Sequence, residues 1–173
     1  MLKQRILTAV LLIPPLVAAL FFLPLPWVSV LFGLFIAAAA WEWAALSEMR
    51  RVGSRMFYVF CLVLLGAAGV YSVLQHPSLI VSMLATAVLW WLWALVELVS
   101  RRDVNKGMFA TMTGRIIGGF LVLIPLWVAA VYLLAAHSER PRTLLFLFVL
   151  VWVADTAAYF AGSFWGRSKL APH

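Results

Sequence analysis

Long apolar runs, separated by short polar or proline-containing segments, dominate the chain. Each run has about 18–23 residues, and about 20 apolar residues in a helix cross roughly 30 Å of hydrocarbon. We therefore predict an all-α, polytopic helical membrane protein with about six transmembrane helices. The predicted spans are 6–23, 27–46, 57–74, 79–99, 116–136 and 143–165.

The first run follows Lys3 and Arg5, as the apolar part of a signal peptide would. A signal peptide has an apolar region of only about 7–15 residues and a small-residue cleavage site, which is missing after this run. We predict that it is retained as a span, and that Pro24 and Pro26 make a tight turn into the second. With no linker or repeat in the sequence, residues 1–173 are predicted to form a single transmembrane domain.

Composition excludes a soluble domain. The chain is 66% hydrophobic and 11% charged, whereas soluble domains carry about 25% charged residues. The net charge of +7 comes from cations in short loops, which have no domain to present them to a nucleic acid, so we predict no nucleic-acid partner. The chain has one cysteine, Cys61, which excludes a disulfide within it.

The cations predict an orientation. Under the positive-inside rule, the segments richer in Lys and Arg face the cytoplasm. Both termini are therefore predicted to be cytoplasmic, in a cell inner membrane. Only Arg140 and Arg142 would then lie outside, with Arg115 at the inner edge of the fifth span. The inside cations would be Lys3, Arg5, Arg50, Arg51, Arg55, Arg101, Arg102, Lys106, Arg167 and Lys169.

Asp155 is the only acidic or basic residue of the last run. A carboxylate near the centre of a membrane helix costs roughly 2.5–3.5 kcal/mol on insertion scales, so such residues usually serve a function. With Glu42, Glu97 and Arg115, it would lie in the cytoplasmic half of the membrane. A polar region on one side favours an enzyme that takes a soluble substrate from the cytoplasm and a lipid from the leaflet.

Each of these residues also has a purely structural interpretation. Glu42 and Glu97 lie close enough to the interface to reach water, and Arg115 can extend its side chain to the headgroups. Arg167 and Lys169 can act only as interfacial anchors, and Asp155 can pair with a neighbouring helix.

Small residues recur every four positions in the last span, which permits close helix packing. Asp155 and Tyr159 lie on one flank beside this stripe, so we expect Asp155 to face a protein interior with the Tyr159 hydroxyl close enough to orient it. Gly114 and Gly118 make the fifth span a candidate neighbour. The stripe consists of Ala154, Ala158, Gly162 and Gly166.

Several segments resemble bacterial phosphatidate cytidylyltransferases, also called CDP-diacylglycerol synthases. They are MLKQRI at the start, AWEW at 40–43, WVADTAAY at 152–159 followed by Gly162, and GRSKLAP at 166–172. The resemblance covers essentially the whole chain and is most specific between Asp155 and Pro172. It implies a polytopic enzyme that condenses CTP with phosphatidate, giving CDP-diacylglycerol and pyrophosphate, with Mg²⁺ required.

The resemblance also implies roles for individual residues. Asp155 is expected to bind the metal and take part in catalysis, while Arg167 and Lys169 contact phosphate groups. Arg115 and Tyr159 are further candidates for substrate binding. Partners would be CTP, phosphatidate and the bilayer, and a homodimer is left open.

The family's chains continue beyond Leu170-Ala171-Pro172. They carry a Ser-Pro-x-Lys-Thr stretch, further spans and a C-terminal signature rich in Asp, His, Gly and Arg. The resemblance therefore implies that these residues are the N-terminal part of a longer chain and are inactive alone.

Two functions from other classes remain open. A proton- or cation-coupled transporter would use Asp155 as a relay, and transport would then depend on this residue but on neither Mg²⁺ nor CTP. A helical scaffold would use Asp155 only to hold helices together, and would tolerate Asp155→Asn if it folded.

The topology generates the first testable prediction. Reporter fusions after Gln75 and after Lys106 should lie on opposite sides of the membrane, with the Lys106 fusion in the cytoplasm. Alkaline phosphatase and fluorescent-protein reporters at each position measure this directly. The same sidedness at both positions would exclude the predicted arrangement of spans.

Overall fold

The computed structural model describes residues 2–100, 107–136 and 140–166. Within them the chain forms six α-helices and one 3₁₀ turn, and no strand. The order is α1 (Leu2–Phe22), α2 (Leu25–Leu46), α3 (Val52–Gln75), α4 (Leu79–Ser100), a 3₁₀ turn (Met108–Ala110), α5 (Met112–Ala136) and α6 (Arg140–Trp165). The predicted all-α membrane fold is confirmed.

Five of the described helices, α2 to α6, are long and apolar enough to cross a membrane, and α1 contributes the apolar stretch Ile13–Phe22. Large apolar side chains cover the outside of the bundle, such as Leu98, which is 77% exposed. That surface suits hydrocarbon, because lipid tails are as apolar as leucine. The chain is therefore a multi-pass membrane protein.

The helices extend beyond several predicted limits. Helix α3 begins at Val52 and not at residue 57, α5 at Met112 and not at 116, and α6 at Arg140 and not at 143. Apolar runs mark only the part of a helix inside hydrocarbon, while the backbone hydrogen bonds continue into the interface. The proline turn is confirmed, since α1 ends at Phe22 and Pro24 is the N-cap of α2.

Helices α2, α3 and α5 pack against one another and form the core, with α4 and α6 placed against α5. Helix α1 contacts α6. Small residues allow α2 to pack closely against α3 and α5, and two of them, Ala40 and Ala44, are completely buried. Helix α5 is thus the central element, and its buried face includes Val128 and Val131.

Trp127 of α5 fixes the spacing of this core. One edge of its indole meets Gly33 of α2, where an added Cβ would lie 2.8 Å from Cζ2. The other edge meets Gly66 of α3, where an added Cβ would lie 2.5 Å from Cε3. The indole Nε1 donates a hydrogen bond to the Ser29 carbonyl at 3.1 Å. The ring therefore has no freedom to move away from either glycine.

Gly66→Ala should destabilise the bundle, because the methyl group would overlap a ring that cannot move. Overpacking of this kind costs about 1–3 kcal/mol, and thermal unfolding in detergent would measure it. Gly53→Ala is the matched control in the same helix, since no atom lies within 4 Å of an added Cβ there. Trp127→Phe should relieve the overlap in the double variant, and equal melting temperatures for the two alanine variants would contradict this packing.

Candidate functional site

A cavity of about 730 Å³ lies among α1, α2, α5 and α6. Its walls are apolar except for Asp155 and Thr156, adjacent residues of α6. This lining suits an apolar ligand oriented by few polar groups. The lining residues are Ile13, Leu16, Phe32, Phe35, Ile36, Ala39, Leu123, Leu126, Trp127, Ala130, Phe148, Trp152, Asp155 and Thr156.

Aromatic side chains make part of the wall rigid. Phe148 and Trp152, one helical turn apart on α6, stack with ring centroids 5.9 Å apart and planes inclined by 15°. Phe148 also meets Phe32 of α2 at 6.2 Å. Trp127 belongs to the same wall. The cavity is therefore shaped by rings that are held in place by their neighbours.

Asp155 is exposed and lines this cavity. It faces the cavity among the helices and is not buried against another described helix, and its burial in a protein interior stays a prediction. The first half of α6 packs on the bundle, with Leu144 only 4% exposed, whereas an added Cβ at Gly162 would meet nothing within 4 Å. The second half of α6 therefore does not pack against the other described helices.

Asp155 lies about 15 Å before the end of α6, given 1.5 Å of rise per residue up to Trp165. That places its carboxylate inside the apolar span and nearer the end at which α5 begins. Thr156 donates its hydroxyl hydrogen to the Trp152 carbonyl at 2.7 Å. Its oxygen lone pairs remain able to accept a hydrogen bond or bind a cation.

Tyr159 lies one turn beyond Asp155 on the same flank and is 47% exposed. Its ring packs edge-on against Phe160, with centroids 5.6 Å apart. The orientation of the Asp155 carboxylate by this hydroxyl stays a prediction.

Arg115 lies in the first turn of α5 and pairs with Glu48 of the α2–α3 turn, Nη2 to Oε1 at 3.1 Å. The Arg115 carbonyl accepts a hydrogen bond from Trp43 Nε1 at 2.7 Å. Both contacts hold α5 against the end of α2. Arg115 is half-buried rather than fully extended into the headgroups, and Asp155 lines a cavity to which Arg115 does not contribute.

Arg167 and Lys169, the predicted phosphate contacts, lie outside the described residues.

Gly114 and Gly118 of α5 do not form the contact with α6. Gly114 lies against Met108 of the 3₁₀ turn, and Gly118 lies against Trp90 and Trp43. Helix α5 does contact α6, but these glycines admit α4, α2 and the 3₁₀ turn. The prediction that the fifth span is a neighbour of the last is therefore confirmed, although the two glycines on which it rested face other elements.

Glu97 has a structural role that the sequence did not reveal. It is buried, and its carboxylate accepts a hydrogen bond from the Met108 backbone N–H at 2.7 Å. The prediction that it reaches water is wrong, because the 3₁₀ turn folds back over the end of α4. Glu42 is exposed, in agreement with the interpretation that it reaches water.

The donor set for a divalent cation is small. No group of three His, Cys, Asp or Glu side chains lies together in the part of the chain that the structure describes. Asp155 and Thr156 supply one carboxylate and one hydroxyl. Mg²⁺ is commonly bound by one or two carboxylates with substrate phosphates and water. The two residues fit such a partial site, and not a cage made by protein alone.

Comparison with known proteins places the chain in a family. The profile described as the cytidylyltransferase family matches residues 3–173. Phosphatidate cytidylyltransferase of Pseudomonas aeruginosa is 35% identical over 173 residues, covering 99% of this chain and 61% of the relative. The enzyme of the same name from Haemophilus influenzae is 31% identical over 187 residues, covering 99% and 64%.

The chain thus spans a little over three fifths of the length of these relatives. No solved structure matches it. The family profile covers almost every residue, including the segments around Asp155 on which the resemblance rests. On this evidence the chain belongs to the cytidylyltransferase family.

Proposed function

We propose that this chain is the membrane-embedded N-terminal part of a phosphatidate cytidylyltransferase. The reaction transfers the cytidylyl group of CTP to phosphatidate and gives CDP-diacylglycerol and pyrophosphate. The family, and the name shared by the two relatives, support this assignment. We place the enzyme in the inner membrane, with its basic ends in the cytoplasm where CTP is found.

The observation that carries the proposal is the position of Asp155. Its carboxylate lies in the wall of an apolar cavity inside the membrane, where a lipid substrate has access and a charge is costly. A transport pathway would need polar groups along its length, whereas this cavity is apolar apart from one end. The arrangement favours chemistry on a lipid whose chains stay in hydrocarbon.

In the proposed reaction, a phosphate oxygen of phosphatidate attacks the α-phosphorus of CTP. The new P–O bond forms as the bond between the α-phosphorus and the bridging oxygen breaks, and pyrophosphate leaves with that electron pair. Several anionic groups must approach one another. Mg²⁺, when bound, would neutralise this charge and align the displacement.

Within this proposal Asp155 binds the cation, and the Thr156 oxygen is a second ligand available beside it. Tyr159 orients the Asp155 carboxylate. Arg167 and Lys169 attract the phosphates of both substrates at the interface. Arg115 contributes less, because its guanidinium already pairs with Glu48.

A second helix against the open half of α6 is also part of the proposal. An added Cβ at Gly162 meets nothing, so the small-residue stripe leaves room for close packing. In the longer protein, subsequent spans are the first candidate for this place, and a homodimer is the second.

Asp155→Asn in the full-length protein should abolish most CDP-diacylglycerol formation while the fold survives. The amide has nearly the same shape but no charge to bind the cation, so Mg²⁺ affinity and turnover should fall together. Asp155→Glu keeps the charge but displaces it by about 1 Å, which costs on the order of 10²-fold where position matters.

The measurement is CDP-diacylglycerol formation against Mg²⁺ concentration, normalised to folded protein in the membrane. Ser163→Ala, on the same helix, is the control, because among the described residues the Ser163 hydroxyl bonds only the Phe160 carbonyl, one turn back. Near-wild-type turnover in Asp155→Asn would exclude the metal-binding role and favour a structural one.

The isolated 173 residues should have no cytidylyltransferase activity, because the described part supplies a single carboxylate to the site. Product formation from labelled CTP by the purified chain, with Mg²⁺ and with EDTA, measures this. Turnover that depends on Mg²⁺ would mean that the remaining two fifths of the relatives' length is dispensable.

A further inference from the structure

A second cavity of about 470 Å³ lies between α3 and α5, on the side of the bundle where both helices begin. We name it the α3–α5 groove. It shares no residue with the cavity that contains Asp155. Its lining residues are Met49, Gly53, Ser54, Phe57, Tyr58, Cys61, Ile116 and Phe120.

The groove has a polar end and an apolar end. Gly53 and Ser54, in the first turn of α3, form the polar end. Cys61 and Phe120 form the apolar end, about 12 Å farther along α3 at 1.5 Å per residue. Because α3 crosses the membrane, the groove runs from the interface into the hydrocarbon, as a lipid acyl chain does.

The walls are held by specific contacts. Tyr58 donates a hydrogen bond to the Ile116 carbonyl at 3.5 Å, and its ring meets Phe120 edge-on at 5.1 Å. At the polar end, Arg55 Nε donates to the Met49 carbonyl at 2.6 Å. The groove is therefore a feature of the packed bundle.

Positive charge surrounds the polar end. Arg50 and Arg51 are exposed in the α2–α3 turn, and the Arg55 guanidinium carbon lies 5.7 Å from the centroid of the Trp41 ring. The acid in this turn, Glu48, is paired with Arg115 at 3.1 Å. Arginines at this depth attract phosphate headgroups.

Unused hydrogen-bond donors add to this charge. The N-cap residue of α3, Arg51, provides no side-chain cap. The Ser54 N–H donates to the Arg51 carbonyl at 3.1 Å, which leaves the N–H groups of Val52 and Gly53 available to an anion.

We propose that the α3–α5 groove binds an anionic phospholipid of the surrounding leaflet. One acyl chain lies between Phe57 and Phe120, and the phosphate lies at the first turn of α3 near Arg50 and Arg51. This lipid is distinct from the substrate at Asp155 and bridges α3 to α5 at the interface. The charge of the turn, together with the apolar depth of the groove, selects this ligand over a zwitterionic lipid.

Cys61 provides a probe of occupancy, because it lines the apolar end and is partly accessible. An acyl chain in the groove should slow its modification. The experiment measures the rate at which a membrane-permeant maleimide modifies full-length protein in vesicles, with the label quantified on the peptide that contains Cys61. Vesicles of phosphatidylcholine alone are compared with vesicles containing one fifth phosphatidylglycerol or one fifth phosphatidate.

We expect modification to be several-fold slower with either anionic lipid than with phosphatidylcholine. The Arg50→Gln/Arg51→Gln variant should lose this protection, with lipid affinity reduced roughly fivefold per arginine. Arg142→Gln, at the opposite end of the bundle, is the control for a general change in charge and should keep the protection.

Three outcomes would overturn the proposal. Equal rates in all vesicles would mean that the groove does not select a headgroup. Protection by phosphatidate but not by phosphatidylglycerol would assign the groove to the substrate lipid. Protection that persists in the double arginine variant would mean that the charges of Arg50 and Arg51 do not select the lipid. The comparison among lipids uses the unaltered protein, so it holds even if the variant does not fold.

Discussion

The contact of Trp127 with two glycines is the constraint on which the rest of the bundle depends. A rigid indole lies between α2 and α3 only because Gly33 and Gly66 have no Cβ, and its hydrogen bond to Ser29 prevents it from turning aside. In hydrocarbon, helices gain little from excluding water, so close packing and buried hydrogen bonds must hold them together. Helix α5 is fixed in this way, and the other elements are placed against it.

A second set of contacts fixes the end of the bundle where α5 begins. Trp43, Tyr58 and Glu97 each bond a backbone group of α5 or of the preceding 3₁₀ turn. Free backbone groups are costly near hydrocarbon, so polar side chains that satisfy them are used structurally. Glu97 is used in this way, whereas Asp155 lines a cavity.

Much of the fold could be predicted because the bilayer dictates helix length. Apolar runs identified the five helices that are long and apolar enough to cross a membrane, and the break in hydropathy at Asp155 marked a residue that lines the larger cavity. Packing could not be predicted in the same way. The regular stripe of α6 has no neighbour at Gly162, whereas Gly33 in α2 and Gly66 in α3 lie close against Trp127. A glycine's role depends on which ring faces it, and that is a property of three helices together.

The roles of the charged residues were hidden for a similar reason. Glu48 and Arg115 are far apart in sequence, and only the packing of α5 against the end of α2 brings them to 3.1 Å. The sequence placed Glu97 at the interface, and only the structure shows that the 3₁₀ turn covers its carboxylate. In both cases the partner comes from another element, so neither hydropathy nor spacing within one helix contains the information.

The two cavities differ in charge, and this difference decides what each can hold. The larger cavity has a carboxylate in its wall, which repels a phosphate unless a cation lies between them. The α3–α5 groove has arginines at its mouth and its nearest acid is already paired, so it attracts a phosphate directly. The lipid proposed for the groove would therefore need no metal, whereas the reaction proposed at Asp155 would need a cation between the carboxylate and the phosphates. Helix α5 separates the two, and it can do so because Trp127 holds it in place.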